Sequence, residues 1–420
     1  MEEQRRQINS YEDRISKLPD EILSHILTLL ESSVEAVRSS VLSKRWRYIW
    51  LTLEKFKIYD SYSPQKTYSR EVYMNSFVNF MNRISVSNVK YFRLRLLENY
   101  SSSDIESWLS AIMTRNLEEI HLSGSIIQLP PKSVCLTGLK SLHLVTLSHL
   151  SDSSLEMLLS NCPILKVLDI FRSPSDSVDI LNVNLSSLEQ LVYYEFSKKS
   201  SNVVINAPNL DSLEICVSKL NIEVKTPRSI AKAYIKFYEC VGTFLPADPT
   251  FQLLRKTSNI SNLSVSCHIL KLLCDSSIHN LPSLTRLKIF HCGDERSYLP
   301  TMLSITPNLK FIKFAKYCNR VHIKSTVELK PEQNMAKCLK SSLESLKFRG
   351  LENVAGDMEI VAYFLKYAKV LNVFAITCYS DDPEKGSKES VVLRKVSMFP
   401  RASSTCLISD VHKYSSRRPV

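Results

Sequence analysis

Apolar residues recur along this chain with two periods, and each period predicts a different architecture. Near the N-terminus Ile22, Leu23, Ile26, Leu27 and Leu30 fall at helical spacing and predict one apolar stripe on a helix. Pro19 suits the first helical turn, where its missing N–H is not needed, and Asp20 and Glu21 complement the positive end of the helix dipole. Leu18, just ahead of the proline, is biased toward an extended conformation. A second helix is predicted from Ser32, with Glu35 three residues on as a capping box, presenting Val34, Val37 and Val41. A third, starting near Ser43, carries Trp46, Ile49 and Trp50. Three short helices in about 40 residues make a small core, and such a unit gains by burying leftover apolar surface on a partner.

After residue 85 the period changes. A leucine-like residue, two positions, another, one position and another recur at Leu117-Ile120-Leu122, Leu139-Leu142-Leu144, Leu165-Leu168-Ile170 and Leu188-Leu191-Tyr193. The pattern continues at Leu210-Leu213-Ile215, Ile260-Leu263-Val265, Leu284-Leu287-Ile289 and Leu309-Ile312-Phe314, with weaker copies at Val89-Phe92-Leu94 and Ile230-Ala233-Ile235. Starts lie 22, 26, 23 and 22 residues apart from Leu117 to Leu210. That is the period of a repeat in which each short strand buries its face only by stacking on its neighbours, giving a curved parallel sheet. Asn-Cys-Pro at 161–163, Ala-Pro-Asn at 207–209 and Thr-Pro-Asn at 306–308 are turn signals at one phase. Leu155, Leu158 and Leu159 predict a helix in one return segment; the other returns read as irregular.

Residues 330–410 depart from the repeat. One more strand-like copy, 342–348, is followed by a predicted helix over 359–368 with Ile360, Phe364 and Leu365 on one side, then an alternating strand over 370–376. Ser380 to Ser390 reads as a polar loop, and Phe399-Pro400-Arg401-Ala402-Ser403-Ser404 closes the region before a short basic tail, 411–420.

Composition removes several function classes. Only seven glycines occur in 420 residues, and no G-x-G-x-x-G, G-x-x-x-x-G-K-[ST] or H-E-x-x-H is present, which argues against phosphate-loop and zinc-protease chemistry. The eleven cysteines are scattered with no C-x-x-C, as in a reduced compartment where they serve as small hydrophobes. Cys267-His268 and His291-Cys292 are adjacent pairs rather than metal-ligand spacings, so no metal site and no cofactor are expected. No apolar run approaches the roughly 18 residues that a membrane helix needs. The net charge is +12, yet residues 1–60 balance ten Lys/Arg against ten Asp/Glu, so the basic excess lies in the repeats and beyond. Such a surface suits acidic partners or nucleic acid, or is simply a solvated face, and the Lys/Arg are not interleaved with aromatics in an RNA-binding pattern.

Leu18-Pro19-Asp20-Glu21-Ile22-Leu23 with Val41-Leu42-Ser43-Lys44-Arg45-Trp46-Arg47 resembles the F-box of plant substrate receptors in cullin-based ubiquitin ligases. With the repeats and the helix-strand-Phe-Pro-Arg-Ala-Ser-Ser block, which resembles an FBD domain, the chain is similar to plant F-box/FBD/LRR-repeat proteins. The resemblance implies an α/β chain: a three-helix F-box at 11–56, a leucine-rich-repeat solenoid at 85–325, and a C-terminal α+β FBD segment at 330–410 capping the array. It further implies a non-catalytic receptor of an SCF-type ligase in the nucleus or cytoplasm, bridged by an S-phase-kinase-associated-type adaptor to cullin and RING subunits. Leu18, Pro19, Ile22, Leu23, Ile26, Val41, Leu42 and Trp46 would meet the adaptor. The target protein would lie on outward-phase strand positions, among them His121, His143, Glu214, Lys288 and Lys313. Two rivals stay open: a scaffold outside any ligase, with nucleic acid as one partner, and a receptor that needs a small molecule.

Overall fold

The computed structural model describes residues 14–15, 17–60, 69–83, 89–113, 116–125, 136–147, 151–174, 178–196, 202–217, 221–225, 230–237, 259–275, 280–291, 295–316, 329, 335–378 and 385–410. The basic tail predicted at 411–420 lies outside them. They fall into two compact units, Met1–Leu188 and Glu189–Val420.

The first unit starts with three short helices, α1 Asp20–Thr28, α2 Ser33–Arg38 and α3 Trp46–Ile49, separated and followed by the 3-10 turns Ser39–Val41 and Trp50–Thr52. Leu23, Leu27, Ala36, Trp46 and Ile49 form their core. The Ser32 hydroxyl caps α2 by accepting from the Val34 N–H at 3.2 Å. The Glu35 N–H donates to the Ser32 carbonyl instead. The buried Ser33 hydroxyl accepts from the Lys57 N–H at 2.9 Å, fixing α2 onto the strand β1 Lys55–Tyr59. The parallel sheet therefore begins at Lys55, on a copy of the leucine pattern, Leu53-Phe56-Ile58, that lies ahead of those expected after residue 85.

Strands β2 Tyr91–Leu96, β3 Glu119–Gly124, β4 Ser141–Val145 and β5 Val167–Phe171 extend this sheet one after another, all parallel. Phe56, Phe92, Ile120, Leu142 and Leu168 share one register row, and Ile58, Leu94, Leu122, Leu144 and Ile170 share another. Every one of them is buried, which is why the inward pair of each copy must be apolar. Helices α4 Arg70–Arg83, α5 Ser102–Met113 and α6 Asp152–Ser160 occupy return segments, and a short strand, β6 Ile180–Asn184, follows β5. Of these, only the return carrying α6 was predicted to be helical. In α5, Ile105, Trp108, Leu109 and Ile112 stand at i, i+3, i+4 and i+7 and are all buried.

Gly124 ends β3 at φ +92°, where an added Cβ would stand 1.9 Å from the Leu96 carbonyl oxygen. Gly124→Ala meets both a left-handed backbone and a backbone clash, so it should destabilise the first unit by at least about 1–3 kcal/mol, read from urea unfolding.

The second unit repeats the architecture. Its strands are β7 Gln190–Glu195, β8 Asn202–Asn206, β9 Ser212–Val217, β10 Ile222–Val224, β11 Lys232–Phe237, β12 Asn262–Ser266, β13 Arg286–His291 and β14 Phe311–Lys316. The C-terminal segment adds β15 Ser345–Leu351, β16 Val373–Cys378 and β17 Leu407–Asp410. One parallel sheet runs β7-β9-β11-β12-β13-β14-β15-β16-β17, while β8 and β10 pair separately. Helices α7 Cys267–Asp275, α8 Leu299–Ser304, α9 Lys337–Ser341, α10 Ala355–Tyr367 and α11 Lys385–Ser397 lie between strands. The predicted loop at 380–390 is thus helical from Lys385 onward.

The C-terminal segment packs as a continuation of the repeats. Phe314 of β14 stacks on Phe348 of β15 at 5.2 Å and meets Phe364 of α10 at 5.9 Å. The buried Arg296 guanidinium pairs with Glu359 of α10 at 2.6 Å. Cys162, Cys216, Cys274, Cys338 and Cys406 are free thiols, and burial pushes Cys338 up to about 11, as for a packing residue. Cys267 differs from the expectation of reduced thiols: it is disulfide-bonded. No helix among the described residues is long and apolar enough to cross a membrane.

Candidate docking surfaces

Helix α1 carries two apolar stripes one residue apart. Leu23 and Leu27 turn inward and are 0% and 4% exposed. Ile22, Ile26 and Leu29, at i, i+4 and i+7, occupy the adjacent stripe; Ile22 and Leu29 are exposed and Ile26 is half-buried. The sequence pattern merges the two stripes into one because both have helical spacing. Leu23 and Trp46, expected at the adaptor contact, are core residues: the helix turns Leu23 onto α2, and Trp46 is 4% exposed.

The remaining candidates surround one clasp. Arg45 donates from Nε and Nη2 to the same Asp20 oxygen, at 2.8 and 2.5 Å, drawing the segment before α3 to the start of α1. On one side of the clasp lie half-buried Leu18, exposed Pro19 and Ile22; on the other lie Val41 and Leu42, 86% and 66% exposed. This exposed ion pair orients the two segments more than it stabilises them. Ile15 and Tyr48 are also exposed apolar residues of this module, and sequence reasoning missed them along with Leu29. The spacing of seven between Ile15, Ile22 and Leu29 was the available signal. Isolated exposed leucines mean little, but this many large apolar side chains on a module of about 40 residues is the mark of a docking face.

The strand faces carry the second set. His121 of β3 and His143 of β4 are cross-strand neighbours in the first unit, with ring centroids 3.8 Å apart and planes 6° from parallel. No spacing along the chain announced the grouping that the strands assemble here: Glu119, His121 and His143 bring one ligand atom each within 4.8 Å of one another.

Glu214, Lys288 and Lys313 belong to the second unit. Glu214 accepts from the Tyr194 hydroxyl and is already engaged. Lys288 and Lys313 lie in a row with Lys347, on β13, β14 and β15. Together with Ser264, Arg286 and Phe311 they line a shallow cleft of about 320 Å³. Aromatic rings lie among these cations: Lys288 Nζ stands 4.4 Å from the Phe290 centroid, and the Arg286 guanidinium 4.4 Å from that of Phe311. The first of these contacts lies within β13 and the second crosses from β13 to β14.

Burial, and then the Lys313 ammonium beside it, pull Lys288 down to about 8 from the ordinary 10.5. Burial and the nearby Arg349 and Lys347 lower Lys313 in the same direction. The folded state therefore holds the Lys288 proton less firmly than the unfolded chain. Charged Lys288 destabilises the fold below about pH 8, and this cost fades as pH rises from there toward 10.5. Lys288→Met should accordingly melt higher than the parent chain at pH 7, with the gap closing by about pH 10, read by calorimetry at both pH values.

Three family models match successive parts of the chain. They are the F-box domain at residues 15–58, the leucine-rich repeats described as "FBD-associated F-box protein At5g56370, LRR repeats" at 93–253, and FBD at 330–376. Curated relatives align with the chain over almost their full length. The chain is similar along its length to F-box/FBD/LRR-repeat proteins. It is 25% identical to a probable FBD-associated F-box protein of Arabidopsis thaliana, over 94% of this chain and 99% of the relative. It is 26% identical to an F-box/FBD/LRR-repeat protein of the same plant, over 96% of each. F-box/LRR-repeat protein 13, also from Arabidopsis thaliana, is 27% identical over 94% of this chain and 95% of its own. The module of α1 to α3 is thus the F-box, and the exposed Pro19, Ile22, Val41 and Leu42 lie in it.

Proposed function

We propose that this F-box protein is the substrate-recognition receptor of an SCF-type cullin-RING ubiquitin ligase, acting in the nucleus or the cytoplasm. The observation that carries the reading is the second apolar stripe of α1, facing outward with Val41 and Leu42 across the Asp20–Arg45 clasp. An S-phase-kinase-associated-type adaptor would cover this stripe and connect it to the cullin and RING subunits. The work of the chain is then tethering, which raises the effective concentration of target lysines near a ubiquitin thioester. No residue of this chain needs to act as nucleophile, acid or base.

The cationic cleft of the second unit supports a target with an acidic surface. Lys288, Lys313 and Lys347 stand side by side on one face, and like charges at that spacing gain most from an anionic partner. Phe290 and Phe311 add the apolar contact that holds such a partner beyond the reach of salt screening.

Reconstitution tests the reading. The purified chain mixed with a plant adaptor, cullin and RING subunit should elute as one four-subunit complex. A chain that joins with no adaptor tested overturns the receptor reading. Binding of RNA at about 150 mM salt, steeply salt-dependent and lost in Lys288→Glu, would replace the acidic target with nucleic acid.

A further inference from the structure

We propose that Glu119, His121 and His143 form a binding site for a divalent transition-metal ion, zinc foremost, on the exposed face of β3 and β4, with Asp169 as the positioning residue for His143.

The site grows from the register of the repeats. His121 pairs with His143, and His143 pairs with Asp169, across three consecutive parallel strands. Glu119 stands two residues before His121 on the same strand, so both side chains leave the same face. Three chain segments thereby deliver four ligand-type side chains to one small area.

The atoms are divided between two roles. The Glu119 carboxylate lies 2.6 Å from His121 Nε2 and 3.9 Å from His143 Nε2, so both Nε2 atoms face the same oxygen. The other ring nitrogen of His143, Nδ1, lies 2.6 Å from Asp169 Oδ2. A carboxylate that accepts a hydrogen bond from Nδ1–H fixes the tautomer that leaves the Nε2 lone pair free, and an acceptor of this kind stands behind most metal-bound histidines. Two histidines and one carboxylate, with water in a fourth position, make a donor set that zinc accepts.

The charges also fit. Glu119 and Asp169 bring two carboxylates to the group, and the Arg93 guanidinium, which acts on His121, offsets only part of their charge, so the group still favours a cation. Arg93, the neighbour of His121 on β2, has its guanidinium over the Tyr59 ring at 6.0 Å. The second oxygen of Asp169 is buried with no hydrogen-bond partner, as is costly for a carboxylate facing only one imidazole and better balanced beside a metal-bound one. All four side chains are half-buried, accessible to an ion yet partly shielded from water.

Coordination requires a modest rearrangement. Donors on one tetrahedral zinc stand about 3.4 Å apart, following from metal–ligand distances near 2.1 Å. The Glu119 oxygen must therefore withdraw from His121 and approach His143, and the stacked rings must tilt out of parallel. Side-chain torsions supply this without moving the strands.

The test is a calorimetric titration of zinc chloride into the full chain, with a His121→Ala/His143→Ala double variant as the reference, because other histidines and thiols bind zinc in the background. The parent chain should take up one equivalent more than the double variant. Asp169→Asn should keep that equivalent but weaken it by about 10–100-fold. Magnesium chloride at the same concentration should not compete. If the double variant fails to match the parent's metal-free circular dichroism, Glu119→Gln replaces it as the reference and should lose most of the same heat. Equal uptake by parent and reference chains, unchanged affinity in Asp169→Asn, or displacement by magnesium each overturns the site.

Discussion

A chain carrying Ile22→Asp and Leu42→Asp is expected to lose adaptor affinity by about 100-fold or more while its circular dichroism and melting midpoint stay those of the parent. Both side chains are exposed, so neither aspartate enters the core of the F-box. Both lie beside the Asp20–Arg45 clasp, at the centre of the proposed contact. An adaptor closing over them would bury two unpaired carboxylates, each costing several kcal/mol, and every 1.4 kcal/mol is a factor of ten in affinity. Equal affinity of parent and variant, measured by titration calorimetry, would remove the adaptor from this face.

Trp46→Ala should also abolish adaptor binding, by the opposite route. Trp46 is buried against a core of very few large side chains, including Leu23, Leu27 and Ile49. Truncating a buried tryptophan costs about 3–5 kcal/mol, comparable to everything that a core of this size supplies. The F-box of this variant should open locally, and its amides from Asp20 to Thr52 should lose protection from hydrogen exchange. The sheet of the second unit should keep its protection, because stability is not uniform across such a chain. A Trp46→Ala chain that binds no adaptor yet keeps full protection over α1 to α3 would return Trp46 to the contact surface.

The two variants divide what was legible in the sequence from what was not. The inward residues of each repeat were legible because a parallel strand in a stacked array tolerates only apolar side chains there. Leu117, Ile120 and Leu122 announce β3, and the weaker copies Val89-Phe92-Leu94 and Ile230-Ala233-Ile235 still fall on β2 and β11. The strand β1 was missed although Leu53-Phe56-Ile58 has the full spacing, because 36 residues separate Leu53 from Val89, the start of the next copy, and no second copy lies within one repeat length. The return helices α5 and α8 were missed because Pro300 and the serine-rich start of α5 resemble loop punctuation. On α1 the period was correct, but period alone does not say which of two adjacent stripes faces the core.

The face residues were legible in a way that motif reading does not use. His121, His143, Asp169, Glu214, Lys288, Lys313 and Lys347 each stand four residues after the leading leucine of their own repeat. Register converts that shared phase into proximity, so His121 meets His143, and Lys288 meets Lys313, although 22 and 25 residues separate them along the chain. Metal-ligand spacings within one helix or loop contain no such rule, which is why the ligand-type cluster at Glu119 was invisible until strands were paired.

Adaptor docking through the F-box is most directly tested by hydrogen–deuterium exchange of the full chain with and without a saturating plant adaptor. The account predicts new protection over residues 18–30 and 39–46 and no change in β12 to β15, whose cationic face stays free for the target. Protection that appears on those strands and spares α1, or no protection anywhere under conditions where the adaptor binds a known F-box partner, would contradict it.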